Sequence, residues 1–200
     1  MRLRTLLVLL VVAGALAAPA AALADPPTLT GETFTGTFSE SVGNCDTLPN
    51  PTIHYHVSGI AAGLYPGTFN ETGTVVISAP GTLGSRLVDL DARFTIDSPA
   101  GQVAGEKHFV ASSSGDGICQ LVGPGIARRK FAEAKGLSYR AVIRTAPGLF
   151  GLFVDCGSSD LLFQQNTTPD MTTTFSEGFM SSRKSPVPFW TLLFGARPCG

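Results

Sequence analysis

Between Arg86 and Asp97 the chain alternates strictly: Val88, Leu90, Ala92, Phe94 and Ile96 are interleaved with Asp89, Asp91, Arg93, Thr95 and Asp97. Successive strand residues point to opposite faces, so a period of two predicts an antiparallel strand with one buried and one wet face. A helix would scatter the same side chains around its circumference. The period recurs along the chain. Thr33 to Ser39 sets Phe34, Gly36 and Phe38 against threonines and a serine, and Ile53 to Ala61 aligns Ile53, Tyr55, Val57 and Gly59. In Leu64-Tyr65-Pro66-Gly67, proline pre-sets φ and glycine tolerates a positive φ, which predicts a turn into a strand over Thr68–Ile77. Ser98-Pro99-Ala100-Gly101 predicts a second hairpin, from Arg86–Asp97 into Gln102–Ala111. Ala146-Pro147-Gly148 predicts a third, between Leu137–Thr145 and Leu149–Cys156, and Thr172–Ser181 and Pro188–Phe194 read as closing strands.

Two stretches break the pattern. Ile126 to Lys135, bracketed by Gly125 and Gly136, is the one segment rich in helix formers and predicts a short helix near 126–135. Residues 157–171 read as polar and irregular. Together these signals predict an all-β fold: an antiparallel meander of about eight strands, with a closed β-barrel favoured over a β-sandwich because closure removes exposed edges. The triplet Phe-x-Glu appears at Phe38–Glu40, Phe69–Glu71 and Phe175–Glu177. No fixed period separates the copies, so they read as shared strand chemistry rather than as a structural repeat.

The N-terminus changes the picture of where the chain works. Arg2 and Arg4 precede an apolar run from Leu6 to Ala18, and Ala22-Leu23-Ala24 places small residues ahead of a cut before Asp25. Residues 1–24 are therefore expected to be a cleaved secretory signal, with residues 25–200 a single all-β domain exported to the extracellular space. The signal carries two basic residues and no acidic ones, so the net charge of −1 becomes −3 on cleavage. With both signs interspersed, this balance favours neither nucleic acid nor an anionic membrane as partner. Phe189 to Phe194 is far short of the roughly 20 residues of a spanning helix, so no membrane span is expected after cleavage.

Four cysteines, Cys45, Cys119, Cys156 and Cys199, remain in the exported part. An even number in an oxidising compartment argues for two disulfides, and the spacing lacks the close pairs of a zinc site. Three pairings are open; loop length favours Cys119 with Cys156, leaving Cys45 with Cys199.

Candidate chemistry is sparse. His54 and His56 share one face of a strand and can approach a single metal ion, with Glu71 or His108 as further ligands. The competing reading, which the pattern favours, is that the pair decorates the polar face opposite Ile53, Tyr55 and Val57. Glu32, Glu40, Glu71 and Glu177 are available as paired carboxylates, a chemistry decided by separation in space. Asp89 and Asp91 share a wet face that also offers Arg93 as counter-charge. Ser112, Ser113 and Ser114 sit in a glycine-bounded loop without a nucleophile elbow. Thirteen phenylalanines against one tryptophan and three tyrosines is a core-filling composition. No cofactor is implied.

The segments Tyr65 to Thr74 (YPGTFNETGT) and Phe94 to Val103 (FTIDSPAGQV) resemble uncharacterised exported proteins of high-GC Gram-positive bacteria. The resemblance implies a secreted bacterial β domain and no particular activity. The expected function is a secreted, disulfide-stabilised, non-catalytic binding or structural module. The alternatives are a small barrel enzyme, metal-dependent through His54 and His56, and a barrel carrier of a small apolar ligand.

Overall fold

Alternation of apolar and polar side chains, interrupted by β-bulges, runs through most of the nine strands of the computed structural model, which describes residues 28–42, 52–78, 86–118, 131–145, 152–165, 173–182 and 199. They are β1 (Thr33–Val42), β2 (Thr52–Ala62), β3 (Gly67–Ile77), β4 (Leu87–Ser98), β5 (Gly101–His108), β6 (Ser114–Ile118), β7 (Phe131–Thr145), β8 (Leu152–Gln165) and β9 (Thr173–Ser181). Every named pairing is antiparallel. Neighbours run β5-β4-β3-β2-β1-β9-β8-β7, and β5 pairs with β7 to close the ring. The result is an eight-stranded closed barrel. β6 lies outside the ring and pairs with the first residues of β7, from Phe131 to Lys135, beyond the reach of the shorter β5.

The inward faces supply one continuous core. Phe34 stacks on Phe69 with ring centroids 4.5 Å apart, and Phe179 lies 4.7 Å from Phe34 and 5.3 Å from Phe94. Tyr55, Phe163 and Phe175 continue the cluster, with centroids 5.1 and 5.2 Å apart in sequence of contact. Each fully buried ring of this kind contributes on the order of 1.5–3 kcal/mol relative to exposure. Room for the rings comes from small inward neighbours: a Cβ at Gly105 would collide with the ring of Phe94. The outward residues of β3 and β4, among them Thr72, Asp91, Arg93 and Thr95, are polar and exposed. Among the described residues no helix is long and apolar enough to cross a membrane.

Several expectations need correction. Val88 is 45% exposed while Leu87 is buried, because Val76 pairs with Asp89 but Ile77 pairs with Leu87. Val88 is the extra residue of a β-bulge, which reverses the facing of everything before it. The helix expected near 126–135 is not found where the chain is described. Phe131 to Lys135 belong to β7 and are paired on both sides, by β6 and by β8. Two backbone ladders and the burial of Ala134 outweigh the helix propensity of FAEAK. Residues 157–165, read as irregular, continue β8 opposite β7 and β9. Ser114 begins β6 instead of lying in a loop.

The preferred disulfide pairing is also overturned: Cys156 is bonded to Cys199, with Cα atoms 6.0 Å apart. Cys156 alternates with the inward residues Asp155 and Ser159 and so sits on the outer side of β8. Loop length carries no information about which face a cysteine occupies. Cys45, Cys119, the expected signal at residues 1–24, the turn at 146–148 and the strand at 188–194 lie outside the described residues.

Candidate functional site

The outer wall carries a polar row that crosses four strands in register. His54 on β2 pairs with Thr74 on β3, Thr74 with Asp91 on β4, and Asp91 with His108 on β5. The ends of the row are tied by side chains: His54 Nδ1 and Thr74 Oγ1 are 3.0 Å apart, and His108 Nδ1 contacts Asp91 Oδ1. One register step along the barrel lies a second row, His56, Thr72, Arg93 and Glu106. Between them is an open groove of about 440 Å³, floored by Gly73 and Ala92.

The metal set offered as an alternative, His54, His56 and Glu71, is not brought together. His54 and His56 are on the outer face, whereas Glu71 is 1% exposed and points into the barrel with Phe69 and Val75. The sheet separates them. Three strand spacings also put the His54 and His108 backbones about 14 Å apart, too far for one ion to bridge two imidazoles. Among the described residues no group of three or more His, Cys, Asp or Glu could hold a metal ion.

Of the four candidate carboxylates, the structure brings two together. Lys107 Nζ lies 2.7 Å from Glu71 Oε2 and contacts Glu177 Oε2, and none of the three side chains has solvent exposure. The Tyr55 hydroxyl donates to Glu71 Oε1 at 2.7 Å. Burial, followed by the negative charge of Glu71, pushes the Glu177 carboxyl up to about 7; Lys107 and the Ser159 hydroxyl oppose that shift. Burial and Glu71 also hold the Tyr55 phenol well above its ordinary range. Glu71 and Glu177 are therefore buried inside the barrel and do not lie on its solvated outer face. Glu32 is buried elsewhere, at a barrel end, with Oε2 accepting from the Tyr65 amide at 3.1 Å. The side chain of Glu40 lies outside the described residues.

A second buried polar cluster closes that same end. Asp155 Oδ2 accepts from the Leu29 amide at 2.8 Å and from the Tyr139 hydroxyl at 2.7 Å, while Ser181 Oγ donates to Oδ1 at 2.5 Å. Burial and Asp155 together raise the Tyr139 phenol far above its usual range. The Leu29 segment is thereby fastened across the barrel mouth, with Gly31 donating to the Phe179 carbonyl at 3.1 Å.

Comparison with protein-family models, curated proteins and solved structures returns no match. Among the described residues, the paired carboxylates and the amine of the interior have no solvent exposure and lie among the rings of Phe94, Phe175 and Phe179. An apolar ligand inside the barrel would have to displace rings already in contact, such as Phe34 and Phe69. The outer groove is open to solvent and chemically mixed. Lys107 had not stood out in the sequence, although its position two residues after Gly105 and four after Val103 gives it the inward parity of β5.

Proposed function

We propose that the chain is a secreted, disulfide-stabilised, non-catalytic binding module that meets its ligand on the outer face of β2 to β5. The observation that carries this reading is the in-register row His54, Thr74, Asp91 and His108 lining an open groove on a barrel whose interior is filled. Small barrels of eight strands are commonly filled by their own side chains, which leaves the wall as contact surface. Arg93 and the imidazoles offer donors, while Asp91, Glu106 and the threonine hydroxyls offer acceptors. A polar ligand presenting both kinds of group, such as a zwitterion or a short charged peptide segment, matches that lining. Export is supported by the pattern of residues 1–24, by the Cys156–Cys199 bridge, which suits an oxidising compartment, and by the resemblance to exported bacterial proteins.

Amide shifts of the isotopically labelled mature chain, titrated with free amino acids and charged dipeptides, test the proposal. Perturbations are expected at Thr72–Thr74, Asp91–Arg93 and Glu106–His108, and are expected to weaken at least tenfold in affinity in Asp91→Ala. Shifts confined to another face, or turnover of the dipeptides, would contradict it.

A further inference from the structure

Three side chains that no surface role requires meet in the driest part of the barrel. Lys107 comes from β5, Glu71 from β3 and Glu177 from β9, so residues far apart in sequence converge on one nitrogen. The rings of Phe94, Phe175 and Phe179 surround that nitrogen at 5.6–5.8 Å from their centroids. Taking an ammonium and two carboxylates out of water is costly even when they pair, and a pair plus one extra acid leaves a charge or a proton to be accommodated. A covalent bond would remove that cost.

We propose that Lys107 and Glu177 condense into an intramolecular amide that ties β5 to β9 across the barrel, with Glu71 carrying the proton. Glu71 takes a proton from the Lys107 ammonium, freeing the lone pair on Nζ. The amine attacks Cδ of the protonated Glu177 carboxyl, and a C–N bond forms as the C=O opens to a tetrahedral centre. A second proton leaves nitrogen, the Glu177 hydroxyl leaves with a proton relayed by Glu71, and the C=O closes. One water is released, and Glu71 ends protonated. Atoms and charge balance: an ammonium, a carboxylate and a carboxylic acid become an amide, a carboxylic acid and water. No ion remains among these three side chains.

The geometry suits each step. Attack needs reacting atoms about 3–3.5 Å apart, and a nitrogen in contact with a carboxylate oxygen is close to that distance from its carbon. Holding amine and acid together makes the condensation unimolecular, with effective molarities on the order of 10⁵–10⁸ M for well-oriented groups. Glu177 contacts Nζ directly, and burial raises its carboxyl to about 7, which favours the protonated form with a leaving hydroxyl. Glu71 is held in place by Tyr55 and is within reach of the same nitrogen, as a proton carrier must be.

Intact mass of the folded, purified mature chain, after reduction and denaturation, tests the proposal without any variant. The expected result is a deficit of about 18 Da, one water, against the mass calculated from the observed N-terminus. Proteolysis should yield a branched peptide joining the segments around Lys107 and Glu177. Lys107→Arg should restore the full mass, and Glu71→Gln should slow the appearance of the deficit at least tenfold after refolding. The full calculated mass for the folded wild-type chain would overturn the proposal, as would a deficit that maps elsewhere.

Discussion

Glu32 shows how a single acid records its surroundings. It is fully buried at the barrel mouth; burial raises its carboxyl above the ordinary value of 4.5, and the amides of Tyr65 and Leu64 pull the other way without cancelling the shift. The folded chain therefore holds a proton at pH values where the unfolded chain has lost it. Its contribution to stability is fully present below the unfolded value and is lost as pH rises through the folded one. We predict that the urea midpoint of wild type relative to Glu32→Gln falls as pH is raised from 4 toward neutrality. A difference that stays constant with pH, or that grows, would contradict the assignment. The residue scale is also where the sequence was least legible. Phe69-x-Glu71 and Phe175-x-Glu177 place a glutamate on the same face as a core ring, so the recurring triplet contained two of the buried acids. What it lacked was the partner: Lys107 lies on another strand, and only barrel closure brings it to both.

At the scale of one element, β4 gives the sharpest contrast. Phe94 is 1% exposed and packs against Phe34 and Phe179, whereas Asp91 faces solvent beside His108. Phe94→Ala should cost about 3–5 kcal/mol through lost transfer energy and the cavity left behind. Asp91→Asn should change stability little, because an exposed ion pair contributes at most about 1 kcal/mol. Paired thermal or urea melts check this, and equal losses would show the facing of β4 to be wrong. Phe94, Leu90 and Ile96 were legible from alternation alone. Val88 was not, since a bulge depends on how the partner strand pairs. The same limit explains β7. Its first five residues favour a helix in isolation, and the turn to strand follows from ladders on both sides plus the bulge at Ala134/Leu137, where Gly136 adopts φ +66°. Such pairings are long-range and leave no local mark.

The whole molecule depends on one seam. Hairpin order predicts an up-and-down sheet, and alternation predicts which face is dry, but neither fixes whether the sheet closes. Closure rests on β5 and β7, paired from Gly101 with Thr145 to His108 with Ser138. It seals the rings and the Lys107 triad inside and leaves the polar groove outside, so both the proposed binding surface and the proposed amide follow from it. Hydrogen exchange resolved by residue, together with cross-strand Hα–Hα contacts by NMR, reads the seam directly. The account predicts that alternate β5 and β7 amides facing each other are protected as strongly as those between β2 and β3, with contacts joining opposed residues such as Val103 and Ile143. Amides on both strands that exchange like open sheet edges, without those contacts, would contradict a closed barrel.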